Sequence, residues 1–233
     1  MRKHLLLFFL FVCCLPLAGS SQTVLLDIDV AGDTVPPTKG KNLKHFVHMY
    51  MSYGFIGGIM ETGARIRPES SSFYEFGFRY KRKISPTIAT GLELAYRNDV
   101  YNLRQEKGKV IPDTVLHNRE KLSFHILNLG WYMRVNYGKR GNSIGHFVDA
   151  GTYSDVNVHF THFTQDKYPD GRIVKTTTQG LGIEELLSFG LVGRWGFGNL
   201  VITGRYRLTD ALKPSTGLPD LPKGQLGLQL GFH

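Results

Sequence analysis

Cysteine is scarce in this chain, and both copies lie near its start. The 233 residues contain only Cys13 and Cys14, which fall within an apolar N-terminal run. We expect residues 1–21 to be a cleaved signal peptide, because Arg2 and Lys3 precede an apolar run that is too short to span a bilayer. The mature chain then has no cysteine, which excludes disulfides, thiol catalysis and cysteine-based metal sites.

Long apolar runs and helical periodicity are also missing after residue 21. Hydrophobic residues make up 42% of the chain and charged residues 20%, which excludes wholesale disorder. The 27 glycines and the aromatic content of 12% favour strands with tight turns over a helical bundle. The formal net charge is +9, lowered by two when the signal peptide is removed, so contact with acidic membrane surfaces is a possible role.

Apolar and polar residues alternate in eight segments of the remaining chain, with the period of a β-strand. Each segment has roughly the ten residues with which a tilted strand crosses a bilayer. The predicted strands cover residues 43–55, 72–82, 87–98, 121–137, 143–160, 182–196, 200–209 and 225–232.

The connections between these strands alternate between two lengths. Residues 83–86, 138–142 and 197–199 form short connections, whereas long ones cover residues 56–71, 99–120, 161–181 and 210–224. Outer-membrane barrels combine short periplasmic turns with long extracellular loops in this way. The sequence therefore predicts an all-β fold: a closed, up-and-down, antiparallel, eight-stranded transmembrane β-barrel over residues 43–233, preceded by a periplasmic lead-in over residues 22–42.

Two local patterns refine this prediction. Tyr-Pro-Asp-Gly at residues 168–171 is a turn signal, so we expect the strands around it to continue beyond the membrane as a hairpin of residues 159–167 and 172–178. Leu122, Phe124 and Ile126 are out of phase with the apolar residues that follow them. A β-bulge near Ile126 and Leu127 would reconcile the two phases.

The polar face carries charges of both signs and many glycines, which indicates a closed lumen and an apolar face that points to lipid. A soluble barrel, with its apolar face inward, is the less favoured alternative. We expect the glycines to make room for long arginines, and opposite charges to pair between neighbouring strands, with Glu75 opposite Arg97 and Arg79 opposite Glu93. The predicted lumen charge network is Glu75, Arg79, Glu93, Arg97, Asp149, Arg194, Arg205 and Arg207.

Aromatic residues lie near the ends of the predicted strands, as in the interfacial girdles of membrane barrels. The predicted girdle consists of Tyr53, Phe55, Tyr80, Tyr96, Trp131, Tyr137, Trp195, Phe197, Tyr206 and Phe232.

Several stretches resemble the PorT-type outer-membrane β-barrel family, and OmpA-like eight-stranded domains are similar. The resemblance covers about residues 43–233 and is carried by 127–137, the basic turn 138–142, 147–151, 197–200 with 204–206, and 221–228. It implies an integral outer-membrane protein, in some members linked to protein export.

Candidate catalytic and metal-binding groups are few. His159 and His162 are three residues apart, which places them on opposite faces of a strand, and no further ligand is spaced nearby. Ser123 and His125 share a face of one strand, and Asp149 lies on the next, but no oxyanion arrangement accompanies them. We therefore predict no metal, no cofactor and no catalytic residue, and interpret these groups as hydrogen-bonding residues of the lumen or rim.

The resulting prediction is a bacterial outer-membrane protein that is not an enzyme and has a side-chain-filled lumen. Its expected partners are outer-membrane lipid, lipopolysaccharide and the barrel assembly machinery, with no nucleic acid. Interaction would rest on the loops at residues 99–120 and 161–181. The alternatives are a small porin-like channel, a lipid-modifying enzyme and an accessory factor in protein export.

Overall fold

A computed structural model describes residues 39–138, 141 and 143–232. The chain divides into two units, Met1–Pro36 and Pro37–His233, and all described residues belong to the second. The predicted signal peptide and most of the predicted lead-in therefore lie outside the described residues.

The described residues form one antiparallel sheet of nine strands, so the all-β prediction is confirmed. A single 3-10 turn, Pro214–Thr216, interrupts one connection, and no described helix is both long and apolar enough to cross a membrane. The strands are β1 His45–Gly57, β2 Ser72–Lys83, β3 Ile88–Asn102, β4 Arg119–Tyr137, β5 His146–Lys167, β6 Ile173–Gln179, β7 Leu187–Phe197, β8 Leu200–Arg207 and β9 Gly224–Phe232.

Eight of these strands pair with a neighbour on each side and close the sheet on itself; we call them the strand ring. Its order is β1-β2-β3-β4-β5-β7-β8-β9, and β9 pairs back onto β1. The ninth strand, β6, pairs only with the distal part of β5 and stands outside the ring. The predicted hairpin extension is therefore confirmed, and it accounts for the strand that the prediction of eight did not count.

The two ends of the strand ring differ in their connections, as predicted. At the short-turn end, β2 and β3, β4 and β5, and β7 and β8 are joined by residues 84–87, 138–145 and 198–199. At the long-loop end lie residues 58–71, 103–118 and 208–223, together with the β5–β6 hairpin and residues 180–186. The predicted pairing of Glu75 with Arg97 and of Arg79 with Glu93 is confirmed by the β2–β3 register.

The predicted bulge exists, but it does not reconcile the two phases of β4. The register between β4 and β5 shifts between His125 and Ile126, whose partners are His159 and Asn157, so the extra residue, Val158, lies on β5. The even-numbered residues of β4 are buried along its whole length, and among the odd-numbered ones only Ser123 is also buried. Leu122, Phe124 and Ile126 therefore point inward like the polar residues that follow them, because the chemistry of the inward row changes while its phase does not.

Candidate functional site

Charged side chains of both signs meet inside the strand ring, in a cluster that we call the charged layer. Inward-facing positions on β2, β3, β5, β7 and β8 supply it, and every member is buried. The charged layer consists of Glu75, Arg79, Glu93, Arg97, Asp99, Asp155, Arg194 and Arg205.

The Glu93 carboxylate is bound by two guanidinium groups that approach from different strands. Arg79 on β2 donates from Nε and Nη2 to Oε2 at 2.9 and 2.6 Å. Arg194 on β7 donates from Nη2 to both oxygens at 2.8 and 2.6 Å. Because β3 and β7 are not neighbours in the sheet, the second interaction crosses the interior of the strand ring and ties its two sides together.

Glu75 and Asp155 form similar bridges across the interior. Arg205 on β8 donates to Glu75 on β2, and Tyr50 donates its hydroxyl to the same carboxylate at 3.0 Å. Arg97 on β3 donates to Asp155 on β5, and also to Asp99 at 2.9 Å. Although Glu75 lies opposite Arg97 in the sheet register, their closest N–O distance is 3.7 Å, so Glu75 pairs mainly with Arg205.

Two residues of the predicted network lie outside the charged layer. Asp149 accepts a bidentate pair of hydrogen bonds from Arg134, at 2.7 and 2.8 Å, between the neighbouring strands β5 and β4. Arg207 donates at 3.0 Å to Asp220, in the connection between β8 and β9. These two charges of the predicted network therefore have their ion-pair partners close to their own strands.

The inward glycines make room for aromatic side chains and backbone, which corrects the expectation that they accommodate arginines. A Cβ atom added to Gly91 would lie 2.5 Å from the Tyr132 side chain, and one added to Gly190 or Gly196 would overlap Tyr153 or Phe147. These aromatic groups in turn contact the arginines, since the Arg205 guanidinium lies 4.6 Å from the centre of the Tyr153 side chain. The glycines therefore leave space for aromatic side chains, and these aromatic side chains contact the arginines.

At the level of the charged layer, inward-facing side chains fill the interior of the strand ring. Arg79 and Tyr50 have no exposed surface, and Tyr132 is 1% exposed. On the long-loop side of the charged layer there is a cavity of about 30 Å³, lined in part by Arg97, Tyr153 and Arg207. A polar cavity of that size has room for at least one water molecule.

Above this cavity, towards the long-loop end, the interior becomes apolar; we call this region the apolar cap. Leu122, Phe124 and Ile126 of β4 supply one wall. Loop residues fold inward to meet them, so the long loops seal this end. The buried loop and strand residues of the apolar cap are Ile56, Ala64, Ile66, Phe73, Tyr101, Leu103, Ile111, Phe160, Ala211, Leu212 and Leu221.

A polar cluster fastens the loop between β3 and β4 to the top of the strand ring. Fully buried Glu120 accepts hydrogen bonds from Lys109 at 2.5 Å, Gln105 at 2.7 Å and His162 at 2.7 Å. Burial raises the pKa of the Glu120 carboxyl, but these hydrogen bonds outweigh it and hold the pKa below its usual value. His117 is bonded to Asp166 at 2.8 Å, which adds a second link to β5.

Asp113, His117 and Glu120 offer ligand atoms that lie within 4.8 Å of one another. The Lys109 ammonium group lies between two of them, 2.5 Å from Glu120 and 3.4 Å from Asp113. The Lys109 ammonium group is thus the cation that these two carboxylates bind. His159 and His162 point in different directions, since His159 contacts His125 and His162 contacts Glu120.

The Ser123, His125 and Asp149 triple is not assembled. The β4 partner of Asp149 is Arg134, which lies roughly 35 Å along the strand from Ser123 at the usual rise per residue. His125 instead contacts Tyr96, with 2.5 Å between its Nδ1 atom and the tyrosine hydroxyl oxygen. Among the described residues these three groups therefore form no relay.

The predicted aromatic girdle lies on the outer face of the strand ring. Its members are exposed, except for half-buried Tyr80, which bonds His45 at 2.7 Å near the short-turn end. Trp195 donates its indole N–H to the Tyr137 hydroxyl at 2.6 Å at the same end. Trp131 departs from the predicted placement, because it lies midway along the outward row of β4 between Leu127 and Tyr137.

No protein-family model, curated protein or solved structure matches this chain. Sequence reasoning missed the apolar cap and the Glu120 cluster, whose residues are dispersed over several loops. One signal was available: the apolar residues of β4 that are out of phase with the rest of the strand are the ones that form the wall of the cap.

Proposed function

We propose that this protein is an integral outer-membrane β-barrel with a filled lumen, acting as a structural or interaction protein of the cell envelope through its long loops. The observation that carries the proposal is an inversion of polarity along the strand ring. Between Ile126 and Leu127, the inside changes from apolar to polar, and the outside changes from polar to apolar.

Strand β4 illustrates the inversion most clearly. Towards the long-loop end, Arg119 and Lys121 face outward while Leu122, Phe124 and Ile126 face inward. Towards the short-turn end the outward row is Leu127, Leu129, Trp131, Met133 and Val135, and the inward row is Asn128, Gly130, Tyr132, Arg134 and Asn136. A protein surrounded by water on all sides has no reason to reverse its polarity partway along a strand, because apolar surface is driven away from water everywhere.

The length of the outward apolar rows agrees with a bilayer. From Leu127 to Tyr137, β4 runs about 33 Å at the usual rise, which a tilt of about 40° reduces to a height of about 25 Å. That height is the apolar band typical of outer-membrane barrels. The same band includes Met51 and Phe55 on β1 and Leu226 and Leu230 on β9, all exposed.

The filled interior supports a role without conduction. An eight-stranded barrel has an interior that side chains can occupy completely. Here the charged layer and the apolar cap lie one above the other, so a diffusing solute would meet both. The surfaces left for interaction are at the long-loop end, where Val115, Leu116 and all of β6 except half-buried Thr178 are exposed.

The membrane proposal is tested by fractionation and gel mobility. We expect the mature chain to remain with outer membranes after alkaline carbonate extraction, and to migrate differently before and after boiling, because closed strand rings persist in mild detergent. A chain that dissolves in buffer without surfactant would contradict the proposal. N-terminal sequencing of the exported chain tests the predicted signal peptide, with Gln22 as the expected first residue.

The filled lumen is tested separately by conductance. Reconstituted protein should give no steady current steps in a planar bilayer, because buried side chains occupy the interior at the level of the charged layer. A stable, reproducible pore in the folded wild-type protein would favour a channel instead.

A further inference from the structure

The short-turn end carries cations without acidic partners, and we call Lys39, Lys44, Arg82 and Lys83 the basic rim. No Asp or Glu occurs among the described residues of this end, which are 39–49, 80–92, 135–138, 141, 143–148 and 195–204.

The contacts of the basic rim are uncharged. Lys83 donates to the backbone carbonyl of Asn42 at 3.1 Å. Lys39, Lys44 and Arg82 are exposed, and within the described part of the chain their side chains form no ion pair. At the long-loop end, by contrast, acids accompany cations: Arg65 lies 3.5 Å from Glu106, and Lys223 lies 2.8 Å from Asp210.

The height of the basic rim indicates what could neutralise it. Arg82 follows Tyr80 by two residues and Lys44 precedes Val47 by three, so both cations lie within about 10 Å of the end of the apolar rows. In a bilayer the polar headgroups occupy a layer some 5–8 Å thick beside the hydrocarbon. Lysine and arginine at that level attract anionic lipid, as juxtamembrane basic segments do.

We propose that the basic rim binds the phosphate groups of anionic membrane lipids in the leaflet at the short-turn end. This inference rests on the proposed membrane location. An exposed cation beside the aromatic girdle and the apolar band is within reach of a lipid phosphodiester. A soluble acidic partner would have to approach the same cation through the lipid headgroups. Because the attraction is electrostatic and largely exposed, it should weaken as salt is added.

A reporter at the right height and on the right side of the strand ring can be placed on β1. Val47 is exposed on the outer face, three residues from Lys44, and its register partner on β2 is Tyr80. The two native tryptophans, Trp131 on β4 and Trp195 on β7, lie on other strands of the ring. In a Val47→Trp variant of the Trp131→Phe/Trp195→Phe background, tryptophan fluorescence reports which lipids contact the basic rim. The probes are vesicles of phosphatidylcholine that contain a small fraction of either brominated phosphatidylglycerol or brominated phosphatidylcholine, since bromine quenches tryptophan on contact.

We expect brominated phosphatidylglycerol to quench the tryptophan introduced at position 47 several-fold more effectively than brominated phosphatidylcholine at the same fraction. The variant K39Q/K44Q/R82Q should bring the two lipids to parity. The matched variant R104Q/R119Q/K175Q removes three exposed cations from the long-loop end and should keep the preference. The complete mature chain is used, so that Asp27, Asp29 and Asp33, which precede the described residues, are present to compete.

The outcomes separate the two proposals. Quenching by neither lipid overturns the membrane location itself. Equal quenching by both lipids in the wild type, or a preference that survives in K39Q/K44Q/R82Q, overturns the phosphate-binding rim and leaves the membrane location standing. Gel mobility before and after boiling establishes that each variant is folded, and the double variant K44Q/R82Q replaces the triple one if the latter does not fold.

Discussion

The charged layer and the apolar cap occupy the same strand ring, yet they are built from opposite chemistry. In the charged layer, Glu93 holds two arginines and no water-exposed surface remains on Arg79. In the apolar cap, loop residues such as Ile66 and Ile111 belong to the same buried cluster as Phe124, as in the core of a soluble protein. The pleat of the strands continues unchanged from one region to the other.

The chemistry of the two interiors follows from the solvent that covers the outer face of the closed sheet at each level. Where the proposed lipid covers the outer face, apolar residues gain nothing by turning inward, so polar residues occupy the interior and must satisfy one another. Where water covers the outer face, the usual hydrophobic driving force returns and gathers apolar side chains inside. The interior of one strand ring is therefore polar at the level of the charged layer and apolar at the level of the apolar cap.

The largest expected effect comes from breaking the charged layer. Glu93→Ala leaves Arg79 and Arg194 buried without their shared carboxylate, and removal of one partner of a buried ion pair typically costs about 3–5 kcal/mol. We expect a large fall in the urea midpoint of the whole strand ring in detergent micelles. Glu69→Ala, at an exposed position, is the control and should change it little. Equal urea midpoints for the two variants would contradict the interpretation that the charged layer stabilises the strand ring by linking its two sides.

The apolar cap should respond differently, with loss confined to the loops. Ile66→Ala removes a fully buried side chain and should cost about 2–5 kcal/mol of local stability. We expect faster proteolysis of the long loops while the mobility of the unboiled band is retained. Ile59→Ala, at an 89% exposed position of the same loop, should leave proteolysis unchanged. Unfolding of the entire strand ring by Ile66→Ala would show that the apolar cap and the charged layer do not unfold independently.

The outer face provides a third test of the comparison. Leu129→Arg places a charge in the middle of the outward apolar row and should cost about 2–4 kcal/mol if that row faces lipid. Val115→Arg, at an exposed loop position, should have almost no effect. Both are measured by folding yield into vesicles. Equal yields would mean that the outward row of β4 lies in water.

The smallest effect should come from acid at the Glu120 cluster. Because the pKa of folded Glu120 is below its value in the unfolded chain, ionised Glu120 contributes stability above about pH 4.3, which is lost as pH falls through the folded pKa. Amide hydrogen exchange in residues 103–118 should therefore accelerate as the pH falls below about 4.3. Glu120→Gln should remove most of this acid response, and Glu69→Gln should keep it. An unchanged acid response in Glu120→Gln would assign it to other groups.

Several features were predictable because they depend only on local periodicity. Alternation located the eight strands of the ring, and unequal connections located its two ends. Opposite charges on neighbouring strands selected the pairing of Glu75 with Arg97. Long-range partners were not predictable: the closest carboxylate to Arg205 is Glu75, on a strand that is not its neighbour in the sheet, and no local pattern reports such a distance.

Periodicity in the sequence assigned most strand residues to the inner or the outer face, because the pleat of a strand places successive side chains on opposite faces. It did not assign Leu122, Phe124 and Ile126, which face inward although the apolar residues after them face outward. How the interior is filled depends on the folded chain. Closure of the sheet brings β3 against β7 and β2 against β8 across a narrow interior, and folding of the loops buries Ile66 and Ile111 above them. Those contacts depend on the curvature of the closed sheet and on loop paths, which are properties of the whole chain.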